Sequence, residues 1–229
     1  MALQLIIGNK NYSSWSMRPW VLMQQLGIPF LEKKLRFDFS EGSAYRLEVA
    51  RYTASGLVPV LMDEGLAVWD SLAIAEYLHE QFPQAGIWPT ETAARARARC
   101  LAAEMHSGFG ALRSHCPMNI EASLPDIGAR IWAEQADVRA NVARIEAAWA
   151  DALQAHGGPF LFGAFSAADA MFAPVCMRVL TYALPLSDTS RAYVQRVASA
   201  PGVMAWVAEA MAEQDFLGFE EPYRKHRGP

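Results

Sequence analysis

A change in residue pattern near position 82 is the feature that most constrains the fold of this chain. Before it, short apolar runs typical of strands alternate with segments whose apolar residues recur at helical spacing, and after it nearly every segment is helical. Alternating strands and helices predict an α/β layer, whereas a long succession of helices predicts a bundle. We therefore predict an α/β domain over residues 1–82, a linker over 83–90 and an all-α helical domain over 91–229.

Composition and charge disfavour several classes of protein. The chain has 229 residues, of which 52% are hydrophobic, enough for a packed core. Its net charge of -4 offers no basic surface to nucleic acid or to an anionic membrane. No apolar run reaches the roughly 20 residues of a membrane span, and no signal-peptide pattern opens the sequence. We expect a cytoplasmic protein whose three widely spaced cysteines are reduced.

A serine-rich segment joins the first predicted strand to the first predicted helix. The apolar run at 3–7 ends in turn residues, and helical spacing begins near Trp20. Ser13, Ser14 and Ser16 are therefore expected in the loop or in the first helical turn, where unpaired N–H groups and the helix dipole favour an anion. A serine there can equally be an ordinary N-cap that needs no ligand.

Two short motifs further along the chain suit a peptide ligand. Pro59 lies within the apolar run 57–62, although a proline cannot donate to a strand ladder. A cis Val58–Pro59 bond would leave the Val58 main chain to pair with an extended peptide, and a trans proline at a sheet edge is the alternative. Asp70 and Ser71 precede a helical stripe, where a carboxylate, a hydroxyl and free N–H groups suit an amino-acid head group.

These segments, in this order, closely resemble the N-terminal domain of soluble glutathione S-transferases. The resemblance rests on Tyr-Ser-Ser-Trp-Ser at 12–16, Gly-Leu-Val-Pro-Val-Leu at 56–61 and Asp-Ser-Leu-Ala-Ile-Ala-Glu-Tyr-Leu at 70–78. Ile-Trp-Pro at 87–89 resembles the linker of that family, and Phe-Ser-Ala-Ala-Asp at 165–169 resembles the capping box of its core helix. The nearest branch is the serine-type branch that includes the zeta class, the maleylacetoacetate isomerases. The resemblance implies a thioredoxin-like domain followed by a C-terminal helical bundle.

The resemblance also implies roles for individual residues. Ser13 takes the position of the catalytic serine, with Ser14 as the alternative. The residues implied to bind glutathione, the co-substrate, are Trp15, Leu57, Val58, Asp70 and Ser71. Zeta enzymes carry a cysteine at the position of Trp15, and this departure weakens the case for isomerase activity. Candidates for the pocket of the second substrate are His106, Phe109 and Arg113, although Arg113 could equally form an ordinary ion pair. We expect no metal, since the histidines lack the spacing of a helical metal pair.

The implied activity is a glutathione S-transferase reaction on a small, partly apolar electrophile. A thiol with a pKa of about 8.5 is mostly protonated at neutral pH. Lowering that pKa by roughly two units requires about 2.7 kcal/mol, which one hydroxyl donor and a helix N-terminus can supply. The alternatives are glutathione-dependent isomerisation of maleyl-type substrates, a peroxidase side activity, or a non-catalytic binding protein of the same fold. The resemblance further implies a homodimer with a role in detoxification.

Overall fold

The structure, a computed structural model, describes residues 3–227 of the chain. Residues 1–2 and 228–229, at the outer ends of the two predicted domains, lie outside the described residues. The first part of the chain contains β1 (Leu3–Ile7), α1 (Ser14–Gln25), β2 (Phe30–Lys34), α2 (Ala44–Val49), β3 (Val60–Asp63), β4 (Leu66–Trp69) and α3 (Ser71–Gln81). The second part contains α4 (Thr92–Ser107), α5 (Gly110–His115), α6 (Pro125–Glu134), α7 (Ala136–His156), α8 (Ala167–Tyr182), α9 (Asp188–Ala198), α10 (Pro201–Glu213) and a short 3-10 helix (Gly218–Glu220).

The strands form one sheet in the order β2-β1-β3-β4. Strand β1 pairs parallel to β2 and antiparallel to β3, and β3 and β4 form a hairpin. The turn residues Glu64 and Gly65 both have positive φ, 46° and 94°, as a type I′ hairpin turn requires. Asp-Glu-Gly at 63–65, after an apolar run at 57–62, predicts a strand over 57–62 and a hairpin, and the hairpin is confirmed. Strand β3 nevertheless begins only at Val60, because Pro59 has no N–H for the ladder.

Helix α8 is the central element of the helical part, and almost all of its residues are buried. Asp169 in its first turn accepts hydrogen bonds from the Ser166 N–H at 3.0 Å, from the Leu161 N–H at 3.1 Å and from the Tyr193 hydroxyl at 2.9 Å. Burial nevertheless raises the pKa of Asp169 to about 6. The predicted capping box is confirmed, and the order of an α/β sheet domain followed by helices confirms the predicted fold class.

Apolar spacing predicts one long helix over 91–118 and another over 126–154, and each is divided in the structure. The segment 91–118 breaks after α4, where Phe109 adopts a left-handed conformation with φ 58°. A Cβ atom on Gly108 would lie 2.6 Å from the carbonyl oxygen of Glu104, so only glycine fits this break. The segment 126–154 breaks at Gln135, whose extended backbone separates α6 from α7. The apolar spacing continues across both breaks, and periodicity therefore could not reveal them.

The two parts of the chain share one hydrophobic core. Helix α1 packs against both α8 and α10, and buried residues of both parts belong to the same apolar cluster. Trp20 of α1 meets Trp206 of α10 edge to face, with ring centroids 5.4 Å apart. Among the described residues, no helix combines the length and apolar character needed to cross a membrane.

The close contact between α6 and α8 predicts that one methyl group added at Gly128 strongly destabilises the protein. A Cβ atom on Gly128 would lie 1.7 Å from the carbonyl oxygen of Tyr182, so Gly128→Ala must push the helices apart. We expect the free energy of unfolding to fall by about 1–3 kcal/mol or more. Gly110→Ala is the matched control, because no atom lies within 4 Å of its Cβ position, and its effect should stay below about 1 kcal/mol. Equal stabilities of the two variants in chemical denaturation would contradict this packing.

Candidate functional site

A groove runs across the surface where the N-terminal end of α1 meets the helical part of the chain. Its larger portion, the main cleft, has a volume of about 400 Å³. Its smaller portion, the side cleft, has a volume of about 270 Å³. Both portions are lined by Trp15, Leu57 and Val58, so they are adjoining parts of one groove.

Ser13 and Ser14 both line the main cleft at the start of α1. Ser13 is the N-cap: its Oγ accepts the Ser16 N–H at 3.4 Å and donates to the Ser16 Oγ at 2.7 Å. The Ser16 Oγ in turn accepts the Gly8 N–H at 3.1 Å. The Ser14 hydroxyl forms no hydrogen bond within residues 3–227. The two neighbouring serines therefore differ, because one hydroxyl is held inside the loop and the other is free to donate.

The segment before β3 places main-chain groups along the groove. The Val58–Pro59 bond is cis, as the sequence analysis proposed. The Val58 N–H and C=O form no hydrogen bond with any residue that the structure describes. The N–H of Leu57 donates to the Ser55 Oγ at 3.3 Å, and its side chain is exposed. Val58 thus offers a donor and an acceptor to an extended ligand, whereas the Leu57 N–H is already used.

Asp70 and Ser71 line the side cleft at the start of α3. Asp70 is the N-cap: its Oδ1 accepts the Leu72 N–H at 2.8 Å, and its Oδ2 lies 3.1 Å from the His106 Nε2. The Ser71 Oγ is buried and has no hydrogen-bond partner among residues 3–227. A buried hydroxyl without a partner carries a desolvation cost, which a bound ligand would remove.

Trp15 lies between the two clefts with charged groups on both of its sides. Its ring meets the His106 ring edge to face, with centroids 5.1 Å apart, and the Arg18 guanidinium lies 4.2 Å from its centroid. The Arg113 guanidinium lies 5.5 Å from the same ring. The pKa of His106 is lowered, mainly by burial, which opposes the effect of the Asp70 carboxylate. His106 and Arg113, predicted from the sequence, therefore come together at Trp15.

Phe109, the third residue predicted for the second-substrate pocket, lies elsewhere. Its side chain is 8% exposed and belongs to the hydrophobic core. Neither cleft has Phe109 in its wall. The left-handed backbone at Phe109 turns the chain between α4 and α5, which buries the ring and leaves Arg113 at the main cleft.

Several residues of the main cleft were missed by the sequence analysis. Arg178 of α8 reaches the cleft from the helical part, and Glu220 reaches it from the C-terminal segment. Four aromatic side chains of the first part of the chain also line the cleft, namely Tyr12, Phe37, Phe39 and Tyr45. Apart from Asp169 in the capping box, Arg178 is the only charged residue of helix α8, and this contrast was a signal in the sequence.

The polar composition of the tail at 220–229 predicts a loosely held segment, and within residues 220–227 this prediction is wrong. The Glu221 carboxylate accepts hydrogen bonds from the Tyr12 hydroxyl at 2.7 Å and from the Arg224 guanidinium at 2.6 Å. The Tyr223 hydroxyl donates to the His115 carbonyl at 2.8 Å. These contacts hold the segment against the loop before α1, and they place Glu220 in the main cleft.

The loop that carries the serines is fixed by other parts of the chain. The Lys10 N–H donates to the Glu213 carboxylate at 2.8 Å, and the Lys10 carbonyl accepts the Trp206 indole N–H at 3.0 Å. The Asn11 side chain donates to Asn119 at 3.0 Å. Within the described part of the chain, no group of three or more His, Cys, Asp or Glu side chains could hold a metal ion.

Comparisons with known proteins agree with this arrangement. The family "Glutathione S-transferase, N-terminal domain" matches residues 12–81, and "Glutathione S-transferase, C-terminal domain" matches residues 92–209. Among curated proteins, the dichloromethane dehalogenase of Methylorubrum extorquens is 37% identical over 68 residues. That match covers 29% of this chain and 23% of the dehalogenase.

Solved structures show the same fold at low sequence identity. A glutathione transferase homolog from Burkholderia with bound glutathione has a TM-score of 0.68 and 21% identity, covering 93% of this chain and 100% of that one. A glutathione S-transferase from the Antarctic clam Laternula elliptica has a TM-score of 0.68 and 19% identity, covering 94% and 96%. A homolog from Sulfitobacter with bound glutathione has a TM-score of 0.62 and 20% identity, covering 92% and 99%.

The contact between Tyr12 and the C-terminal segment predicts a loss of stability. Burial raises the pKa of Tyr12 to about 12, which keeps the phenol protonated as a donor to Glu221. Tyr12→Phe leaves the buried carboxylate with one donor fewer, and we expect the free energy of unfolding to fall by about 1–3 kcal/mol. Tyr77→Phe is the control, since the Tyr77 hydroxyl donates to Asp63 at a less buried position. Equal losses for both variants in urea denaturation would argue against a special role of the Tyr12 contact.

Proposed function

The chain belongs to the glutathione S-transferase family, and we propose that it is a glutathione transferase in which a serine hydroxyl stabilises the thiolate of the co-substrate. The observation that carries this proposal is the convergence of unpaired groups along one groove. The Ser14 hydroxyl, the Val58 main chain and the Ser71 hydroxyl all lack hydrogen-bond partners within residues 3–227. Unpaired groups of this kind are what a peptide ligand needs.

Glutathione fits the order of these groups along the groove. Its γ-glutamyl end carries an ammonium and a carboxylate, which suit the Asp70 carboxylate and the Ser71 hydroxyl at the start of α3. Its cysteinyl residue is extended and suits the N–H and C=O of Val58. The sulfur then lies towards the N-terminal end of α1, near Trp15 and Ser14. Two of the structural neighbours described above were solved with glutathione bound, which supports this ligand.

Ser14 is the better candidate for the donor to sulfur, although the sequence favoured Ser13. The Ser13 hydroxyl must give up its bond to Ser16 before it can donate to a ligand, whereas the Ser14 hydroxyl has no bond to lose. Ser13 is the N-cap of α1, and we assign to it the positioning of the helix start.

The reaction needs no general base from the serine. On binding, the thiol proton leaves to solvent, and the sulfur anion is stabilised by the Ser14 hydroxyl, by the helix dipole and by the positive charge of nearby arginines. The sulfur then forms a bond to the electrophilic carbon. A leaving group departs with its electron pair, or the resulting anion takes a proton from water.

Several finer expectations stay predictions that rest on the resemblance. These are the serine type and kinship with the zeta class, the homodimer, the cytoplasmic location and the detoxifying role. No contact among the described residues favours maleyl isomerisation, peroxide reduction or a purely binding role over conjugation. We therefore propose conjugation alone.

The assignment of Ser14 predicts different effects for two neighbouring substitutions. Ser14→Ala should lower kcat for the conjugation of chlorodinitrobenzene about tenfold or more, and it should raise the pKa of the bound thiol. Ser13→Ala should instead lower the free energy of unfolding by about 1 kcal/mol through loss of the cap. Both rates are measured with saturating glutathione, and the thiolate is followed by its ultraviolet absorbance.

Ser187→Ala provides the matched control for the cap. Ser187 is the N-cap of α9, as Ser13 is of α1: its Oγ accepts the Ser190 N–H at 3.4 Å and lies 3.1 Å from the Ser190 Oγ. It also donates to the Glu146 carboxylate at 2.6 Å, a bond that Ser13 does not have. Its substitution should therefore cost at least as much stability as Ser13→Ala and leave kcat unchanged. Full activity of the Ser13→Ala/Ser14→Ala double variant would refute the proposed role of the serines.

Because the Ser71 hydroxyl is unpaired, we predict that removing it weakens the binding of glutathione without lowering the stability of the protein. Ser71→Ala removes a buried hydroxyl that has no partner in the unliganded protein, so the free energy of unfolding should stay the same or rise. The KM for glutathione should increase about fivefold to tenfold, because a hydrogen bond to the ligand is lost. Thermal unfolding measures the stability, and initial rates at varied glutathione concentration measure the KM. An unchanged KM would exclude Ser71 from the binding site.

A further inference from the structure

Three arginines around the main cleft have no carboxylate partner, unlike several other arginines of this chain. Arg18, Arg113 and Arg178 are close enough for each to influence the charge of another. Within residues 3–227, none of the three has a carboxylate oxygen within ion-pair distance. Elsewhere, arginines bind carboxylates at 2.5–2.8 Å, as in the pairs Arg36–Asp215, Arg99–Glu76, Arg144–Glu104 and Arg224–Glu221.

Arg18 provides a buried positive charge beneath Trp15. It is 2% exposed, and its Nε and Nη1 atoms have no hydrogen-bond partner among the described residues. Burial lowers the pKa of Arg18 to about 9, so the guanidinium stays charged at neutral pH. A buried, unpaired charge is costly, and a bound anion nearby would compensate for it.

Arg178 carries the donors that can reach a ligand. Its Nη1 donates to the carbonyls of Cys116 and Arg113, which fixes the side chain at the cleft wall. Its Nε and Nη2 atoms form no hydrogen bond with the residues that the structure describes, and neither is sealed from solvent. Arg113 lies beside it with one bond, from its Nη1 to the His106 carbonyl at 3.1 Å. These free donors suit a planar oxyanion such as a carboxylate.

Two acidic side chains oppose this positive charge without balancing it. Glu220 lines the main cleft, and burial raises its pKa. Asp70 lies in the side cleft, where it contacts His106. Arg113 and Arg178 therefore line the main cleft with one carboxyl group, that of Glu220, and Arg18 lies next to Trp15 of the same cleft. Positive charge exceeds negative charge there, so the main cleft favours an anion.

The remaining residues of the main cleft suit the apolar part of a second substrate. Apolar and aromatic side chains also line this cleft, namely Tyr12, Phe37, Phe39, Tyr45 and Met118. Building on the function proposed above, we propose that the second substrate is an electrophile with an aromatic or apolar body and a carboxylate, which Arg178 binds with help from Arg113. Glu220 faces the same space and weakens the binding of that carboxylate.

The carboxylate of the proposed electrophile contributes only to binding and takes no part in the bond changes. In the conjugation of a chloronitrobenzoate, the glutathione sulfur forms a bond to the ring carbon that carries chlorine. Chloride leaves with the electron pair of the broken bond, and the carboxylate is unchanged. The arginines thus affect the affinity for the electrophile, whereas Ser14 affects the ionisation of the glutathione thiol.

The test compares 4-chloro-3-nitrobenzoate with its uncharged amide as electrophiles for the full chain. The measured quantity is the ratio of kcat/KM for the acid to kcat/KM for the amide. Differences in intrinsic reactivity between the two probes cancel when this ratio is compared between variants. Arg178→Met should lower the ratio about tenfold, because a charge-assisted hydrogen bond is lost, and Arg178→Lys should restore part of it.

Glu220→Gln is expected to act in the opposite direction. Removing its negative charge should raise the ratio several-fold, and this variant keeps the test decisive if Arg178→Met does not fold. Arg144→Met is the matched control, since it removes an arginine whose partner Glu104 lies away from the cleft, and it should leave the ratio unchanged. The KM for glutathione is measured for every variant.

The outcomes separate this inference from the proposed function. A ratio that neither Arg178→Met nor Glu220→Gln moves would overturn the carboxylate site while conjugation of the amide continues. A rise in the KM for glutathione that is equal with both probes would also overturn it, because the arginines would then bind a carboxylate of glutathione itself. If the unmodified protein conjugates neither probe, the proposed function fails, and this inference fails with it.

Discussion

The burial of the Lys10 ammonium at the junction of the two parts of the chain is the interaction on which the rest of the structure depends. Its side chain is 2% exposed and forms ion pairs with Glu32 of β2 and with Glu209 of α10. It also lies 4.4 Å and 5.4 Å from the rings of Trp20 and Trp206. A buried ammonium needs such partners, and here they come from the sheet, from α1 and from α10. The sheet domain and the helices are thereby held in one arrangement.

The same junction determines the geometry of the candidate site. Lys10 lies in the loop between β1 and α1, only three residues before Ser13, so the groups that hold it also hold the serines. Helix α10 and the C-terminal segment contact this loop through Glu213 and Glu221. The helical part therefore contributes to the candidate site in two ways, because it supplies residues of the main cleft and fixes the loop that carries the serines.

The proposed chemistry follows from groups that folding leaves unsatisfied. Most buried polar groups in a folded protein have partners, and exceptions call for an explanation. Here the exceptions include the Ser71 hydroxyl and the Arg18 guanidinium, and both lie beside the groove together with the unpaired main chain of Val58. A ligand that is both a peptide and an anion would satisfy all three kinds of group. Under this proposal, the unsatisfied groups lower the stability of the unliganded protein and raise its affinity for the ligand.

The sequence by itself determined those features that depend on neighbours along the chain. The hairpin at Glu64–Gly65, the capping box at Ser166 and the serine-rich start of α1 each follow from a few adjacent residues. The tertiary structure alone decided which distant residues complete the site. The bond from Tyr12 to Glu221 joins positions 209 residues apart, and that from Arg178 to Cys116 spans 62. Such contacts depend on how whole elements pack, and no local pattern in the sequence records that packing.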